Sequence, residues 1–112
     1  GFDTYQFDRQ KYIDQLNKSL TILTEVGKKL GKPIAITETG FETIPDATWW
    51  TETLLPVISQ YPISYVLVWR NAREKDNHYY APYPGQVSAP DFVKFYQNSK
   101  TLFARDIKKL YD

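Results

Sequence analysis

The sequence predicts an α/β fold in which helices cover a parallel sheet, and three observations carry that prediction. A long helical stripe is followed by a short, mostly β-branched run. The same helix-then-strand pair occurs a second time, and both strand runs finish on polar residues. Helices that alternate with strands serve as crossovers between parallel strands.

Gly1-Phe2-Asp3-Thr4-Tyr5-Gln6 reads as the tail of a strand entering its loop, which puts Asp3 and Tyr5 on one face. Residues 9–30 carry Tyr12, Ile13, Leu16, Leu20, Leu23, Val26 and Leu30 at helical spacing. Asp8 is the expected N-cap, and Gly31 stands where a left-handed C-terminal cap is wanted. Residues 33–38, Pro-Ile-Ala-Ile-Thr-Glu, then read as a buried parallel strand with Pro33 at its entrance. A second helix is expected from Ala47 to about Gln60, capped by Asp46 and disturbed by Pro56. Residues 63–69 make a strand of the same type. Ser88-Ala89-Pro90-Asp91 resembles a capping box before a helix near 90–98, and 102–111 offer a last helix through Phe103, Ile107 and Leu110.

Two full strands and the end of a third are too little sheet for a complete fold of this class, because a parallel sheet needs both faces covered and more partners. The chain therefore reads as one segment, 1–112, of a larger domain, and its opening at Gly1 without Met fits an excised or processed piece. No export signal is visible in it.

Composition narrows the function classes. Fourteen basic and 13 acidic residues are well mixed, so no basic stripe offers itself to nucleic acid. No apolar run reaches the roughly 18 residues of a membrane span. The absence of Cys and the single His exclude a thiolate or His-based metal cluster within the chain, and no cofactor is expected. Aromatic residues make up 16% of the sequence, which suits either core packing or stacking on sugar rings.

Three clusters point to chemistry. Glu38 closes an apolar strand, at the end of the sheet where parallel α/β folds bind ligands. It equally suits a carboxylate that caps the next loop or pairs with a lysine. Trp69-Arg70-Asn71 closes the second strand in the equivalent place; an indole can floor a sugar subsite, and a guanidinium can donate to hydroxyls. Packing by Trp69 and charge balance by Arg70 are the plainer uses. The loop from Asn77 to Gly85, with His78 and three tyrosines, makes a stiff polar-aromatic surface that serves a cleft or simply packs on neighbouring helices.

Taken in order, GFDTYQ, KPIAITETGF, TWWTETLLP, YVLVWRNA, HYYAPYPG and SAPDFVKFYQNSKTLF resemble glycoside hydrolase family 26, barrel enzymes dominated by endo-β-1,4-mannanases. The pieces span nearly the whole chain, and VWRNA followed by HYYAPYPG is the most specific of them. The resemblance implies the C-terminal part of a (β/α)8 TIM barrel, from the end of strand six through helix eight. It implies Glu38 as catalytic nucleophile, Tyr5 as the hydroxyl beside it and Asp3 as an orienting partner. Trp69 would line the subsite of the attacked mannose, Arg70 would reach the next sugar, and His78 would border the glycone subsites. The partner would be a β-mannan polysaccharide or oligosaccharide, and the setting secreted, periplasmic or cell-surface. The family's acid/base Glu follows strand four, outside this chain. The chain alone is therefore expected to be inactive and, with sheet edges uncovered, to be prone to self-association. Another retaining β-glycanase of the same clan, a non-catalytic sugar-binding piece, and a structural segment without ligand are the alternatives.

Overall fold

The computed structural model describes residues 1–111, and side-chain surroundings through Ile107. Leu110, expected on the apolar side of the last helix, lies outside the described side chains. Strand β1 (Phe2–Gln6) leads into helix α1 (Arg9–Leu30), then strand β2 (Ile36–Phe41). A π-helical segment (Trp49–Leu54) runs directly into α2 (Leu55–Ile58), and strand β3 (Val66–Val68) follows. Helices α3 (Ala89–Gln97) and α4 (Ala104–Tyr111) close the chain. The strands form one parallel sheet in the order β1-β2-β3.

Both ends of α1 follow the local signals. The Asp8 carboxylate accepts from Lys11 N at 2.8 Å, and Gly31 takes φ 60° while its N–H returns to the last turn. The apolar stripe is buried only in its first half, where Tyr12, Leu16 and Leu20 enter the core. Val26 and Leu30 are 43% and 65% exposed. At that end Gly27 takes the close contact instead: a Cβ there would meet Ile34 Cγ2 at 2.6 Å.

Strand β2 begins and ends three residues later than the sequence suggested. Thr39, Gly40 and Phe41 pair with Thr4, Tyr5 and Gln6, so Glu38 lies within the strand rather than at its tip. β3 is shorter than 63–69. Its flanks still bond to β2, through Ser64 N to Ile34 O and Trp69 N to Thr39 O.

The expected helix 47–60 is instead a π-helical turn before a short α-helix. Pro56 has no N–H for the carbonyl of Glu52, and Arg9 Nη2 donates to that oxygen at 3.3 Å. Asp46 still bonds the chain entering this turn, at Thr48 N. The turn buries two adjacent indoles. Trp49 meets Tyr12 and Phe41 and donates to Gln6 Oε1 at 2.7 Å; Trp50 meets Phe92 and Phe95 and donates to Ser88 Oγ. With Leu16, Leu20, Ile36, Ile44 and Leu54 they form the core between the sheet and α1–α3.

The capping box before α3 does not form. Ser88 makes no side-chain cap; its hydroxyl donates to Gln86 Oε1 and accepts from Trp50. Asp91 is turned to Thr51, accepting from its N–H and hydroxyl at 3.0 and 2.5 Å. Both side chains find long-range donors that outcompete the helix start. Beyond β3, Leu54, Ile58, Val66, Phe95, Phe103 and Ile107 line an open apolar cleft of about 750 Å³.

Candidate active site

An irregularity in β2 decides where Glu38 points. Phe2 pairs with Ile36 but Asp3 pairs with Glu38, so Thr37 has no opposite residue on β1. On the other side, Ile36 pairs with Val66 and Thr39 with Val68, again one residue too many on β2. This is a β-bulge at Thr37. Ile36 and Thr39 consequently both face α1, three residues apart. Both are fully buried, and Thr39 Oγ1 shares a 2.5 Å hydrogen bond with Tyr12 Oη. An unbroken strand puts residues two apart on one face, so Glu38 would have followed Ile36 toward the helix.

Glu38 and Gly40 instead face away from α1, as do Asp3 and Tyr5 on β1. Tyr5 Oη donates to Glu38 Oε2 at 2.7 Å. Burial raises the Tyr5 hydroxyl well above the ordinary phenol range, and the hydrogen bond and charge of Glu38 add to the shift. Tyr5 is therefore a stable donor to this carboxylate. Asp3 makes no such contact with Glu38: its Oδ1 accepts from Thr37 Oγ1 at 2.6 Å, and Phe2 O also lies 3.0 Å from that hydroxyl.

Tyr80 walls the same face. Its ring stands 5.5 Å from that of Tyr5, and a Cβ added to Gly40 would come within 2.5 Å of Tyr80 Cδ1. Glycine at position 40 is what lets this ring sit against the strand. Trp69 and Arg70 follow β3 directly; Trp69 is half-buried and Arg70 exposed. Among the described residues no carboxylate pairs with Arg70. His78 is turned toward the loop after β2, its Nδ1 2.8 Å from Glu42 Oε1 and its ring edge-on to Tyr80.

Three residues with decisive roles carried little signal in the sequence. Asn71 Oδ1 accepts from Tyr80 N and Ala81 N, both at 2.9 Å, and pins the aromatic loop to the end of β3. An Asn opening a long loop suits such a turn, which is the one clue available. Gln86 Nε2 donates to Thr43 O and Ile44 O, at 2.9 and 3.0 Å. It thereby holds a turn in which both non-glycine residues have positive φ, 64° and 38°. Thr37 itself read as one more strand residue.

The face thus presents a carboxylate held by a phenol and walled by the tilted Tyr80 ring, on strands running the same way, with Trp69 and Arg70 following at the end of β3. It can place a nucleophilic or basic oxygen against a polar ring-shaped ligand. No family model and no curated protein matches the chain. Solved structures do. A GH26 β-mannanase from Bacteroides ovatus is 71% identical over 98% of this chain, with a TM-score of 0.93, and 32% of that protein is covered. An endo-β-1,4-mannanase double mutant from Cellulomonas fimi is 27% identical over 98% of the chain, with a TM-score of 0.82 and 26% of that protein covered. The catalytic domain of a GH26 endo-β-1,4-mannanase from Bacillus sp. JAMB-750, at 23% identity over 93% of the chain, TM-score 0.73 and 32% of its own length, shares the fold. The chain thus spans about a third or less of these solved relatives, and over that stretch its parallel α/β fold matches theirs.

Proposed function

The chain belongs to glycoside hydrolase family 26, and on that premise we propose that it is the nucleophile-bearing C-terminal segment of the (β/α)8 barrel of a retaining endo-β-1,4-mannanase, from the end of strand six through helix eight. The observation that carries this reading is the 2.7 Å hydrogen bond from Tyr5 to Glu38, on the sheet whose third strand leads into Trp69 and Arg70. A carboxylate fixed by a neutral donor keeps one lone pair aimed at an incoming anomeric carbon.

The chemistry follows from that placement. Glu38 attacks the anomeric carbon of a β-linked mannose, forming a glycosyl ester as a second carboxyl protonates the leaving oxygen. Water, activated by that second group, then frees the sugar with its configuration retained. Retention requires the two carboxyls about 5–5.5 Å apart. Asp3 and Glu42 are engaged by Thr37 and His78. The resemblance to the family implies an acid/base Glu after strand four, in a part of the barrel outside these residues. Trp69 floors the subsite of the attacked mannose, and Arg70 donates to the sugar beyond it. Asp3 serves by orienting the strand around Glu38 rather than by touching sugar. His78, paired with Glu42, borders the glycone side through the Tyr80 wall.

Further βα units of the barrel would fill the apolar cleft beyond β3. Without them the chain is inactive and its open cleft and strand edges favour self-association. A polymer of mannose is met outside the cytoplasm, so secretion or surface attachment accompanies this function.

The test is hydrolysis of a soluble β-mannan by the complete barrel, by its Glu38→Ala variant and by these 112 residues alone. Turnover is expected from the first only, with a loss on the order of 10⁴-fold or more for the variant. Turnover by the isolated chain that disappears on Glu38→Ala would refute its dependence on the rest of the barrel.

A further inference from the structure

We propose that Thr37 is a positioning residue for this reaction: as the extra residue of the β2 bulge, tied by its hydroxyl to β1, it turns Glu38 from the helix face of the sheet to the face where Tyr5 stands. The inference deepens the nucleophile assignment and rests on it.

The register requires such a device. Ile36 and Thr39 are both sealed against α1, and residues on one face of a regular strand cannot be three apart. One residue between them must be absorbed without a partner, and it is Thr37. A bulge costs ladder hydrogen bonds, so something must hold it in place. The Thr37 hydroxyl lies 2.6 Å from Asp3 Oδ1 and 3.0 Å from Phe2 O. A hydroxyl has one proton, and the charge-assisted bond to the carboxylate is the stronger of the two choices. Both acceptors lie on β1, the strand that also carries Tyr5, so one side chain ties the bulge to the strand that carries Glu38's donor. The Thr37 methyl is confined as well, since a Cβ on Gly1 would strike Thr37 Cγ2. Asp3 thus acts on Glu38 at one remove, through Thr37.

The experiment compares Thr37→Val, which keeps the branched shape and loses the hydroxyl, with Thr37→Ser, which keeps the hydroxyl. Both are placed in the complete barrel and assayed on an aryl β-mannobioside. Thr37→Val is expected to lower kcat on the order of 10²-fold, the scale of a misplaced reacting group, with KM little changed. Thr37→Ser should recover most of that loss. Asp3→Asn, which weakens the same tie without touching β2, should lower kcat in the same direction and also spare KM. If Thr37→Val does not fold, the other two variants decide. Wild-type kcat in Thr37→Val, or equal losses in Val and Ser, would overturn the proposal, as would a change confined to KM. If Val fails to fold, wild-type kcat in Asp3→Asn overturns it. Glu38→Gln run alongside separates the two ideas. If it is inactive while Thr37→Val is normal, only the positioning role fails; if it remains active, the nucleophile assignment fails with it.

Discussion

Tyr5 and Glu38 are joined by a 2.7 Å hydrogen bond although they are not opposite one another: the register pairs Tyr5 with Gly40 and Glu38 with Asp3. The contact is diagonal. Gly40 has no side chain to stand between them, so the phenol reaches back along β2 to the carboxylate. Tyr80, packed on that same glycine, closes the far side.

Tyr5→Phe removes the donor and keeps the ring. A hydrogen bond to a charged group is worth about 1.5–3 kcal/mol. The expected outcome in the complete barrel is a fall in kcat on the order of 10–100-fold, with the protein's melting temperature nearly unchanged. Steady-state kinetics beside a thermal melt checks both halves.

Gly40→Ala would drive a methyl into the Tyr80 ring. The expected cost is about 1–3 kcal/mol, typical of overpacking. Shortening the opposing side chain with Tyr80→Ser should relieve most of it. Denaturant melts of the two single variants and the double variant measure the coupling directly.

Gln86 is 5% exposed and serves four polar partners: Thr43 O, Ile44 O, Ser88 N and Ser88 Oγ. Gln86→Leu fills the space and satisfies none of them. Each buried group left unpaired costs about 1–3 kcal/mol, so a loss of at least about 2 kcal/mol is expected. Hydrogen exchange should localise it to the amides around Thr43 and Ile44, where the positive-φ turn loses its support.

Burial raises the Tyr12 hydroxyl above the ordinary phenol range, with its Thr39 hydrogen bond working in the opposite direction. A raised pKa in the folded state means that the unfolded chain loses this proton first. The stability Tyr12 contributes is therefore fully present below the unfolded value of about pH 10, and is lost as pH climbs from there through the folded value. Tyr12→Phe should be less stable at neutral pH yet decline less steeply in alkali. Urea melts across the alkaline range test this sign.

Much of this architecture was readable before any coordinates. Asp8 and Gly31 mark the ends of α1 because caps are local: each acts within a turn of itself. The parallel order followed from alternation alone, and the shared face of Asp3 and Tyr5 from the period of a strand. Other local signals misled wherever a distant partner made a better offer. Ser88 and Asp91 have the spacing of a capping box, yet Trp50 and Thr51 claim them. The sequence named no partner for His78, and the fold brings Glu42 to it. The second half of the α1 stripe has the right period but is exposed, since which part of a helix is covered depends on what packs there.

The sequence by itself determined the alternation of helices with parallel strands, the main helix, the family resemblance and Glu38 as the residue to watch, because periodicity, caps and motifs are written along the chain. It did not determine which way Glu38 faces. That was decided by pairing with β1, which leaves Thr37 unmatched, and with β3, which likewise leaves one residue too many between Ile36 and Thr39, so that every later residue of β2 turns to the opposite side. The physical reason is the strand's period of two: one unpaired residue exchanges the faces, and only neighbouring strands reveal it.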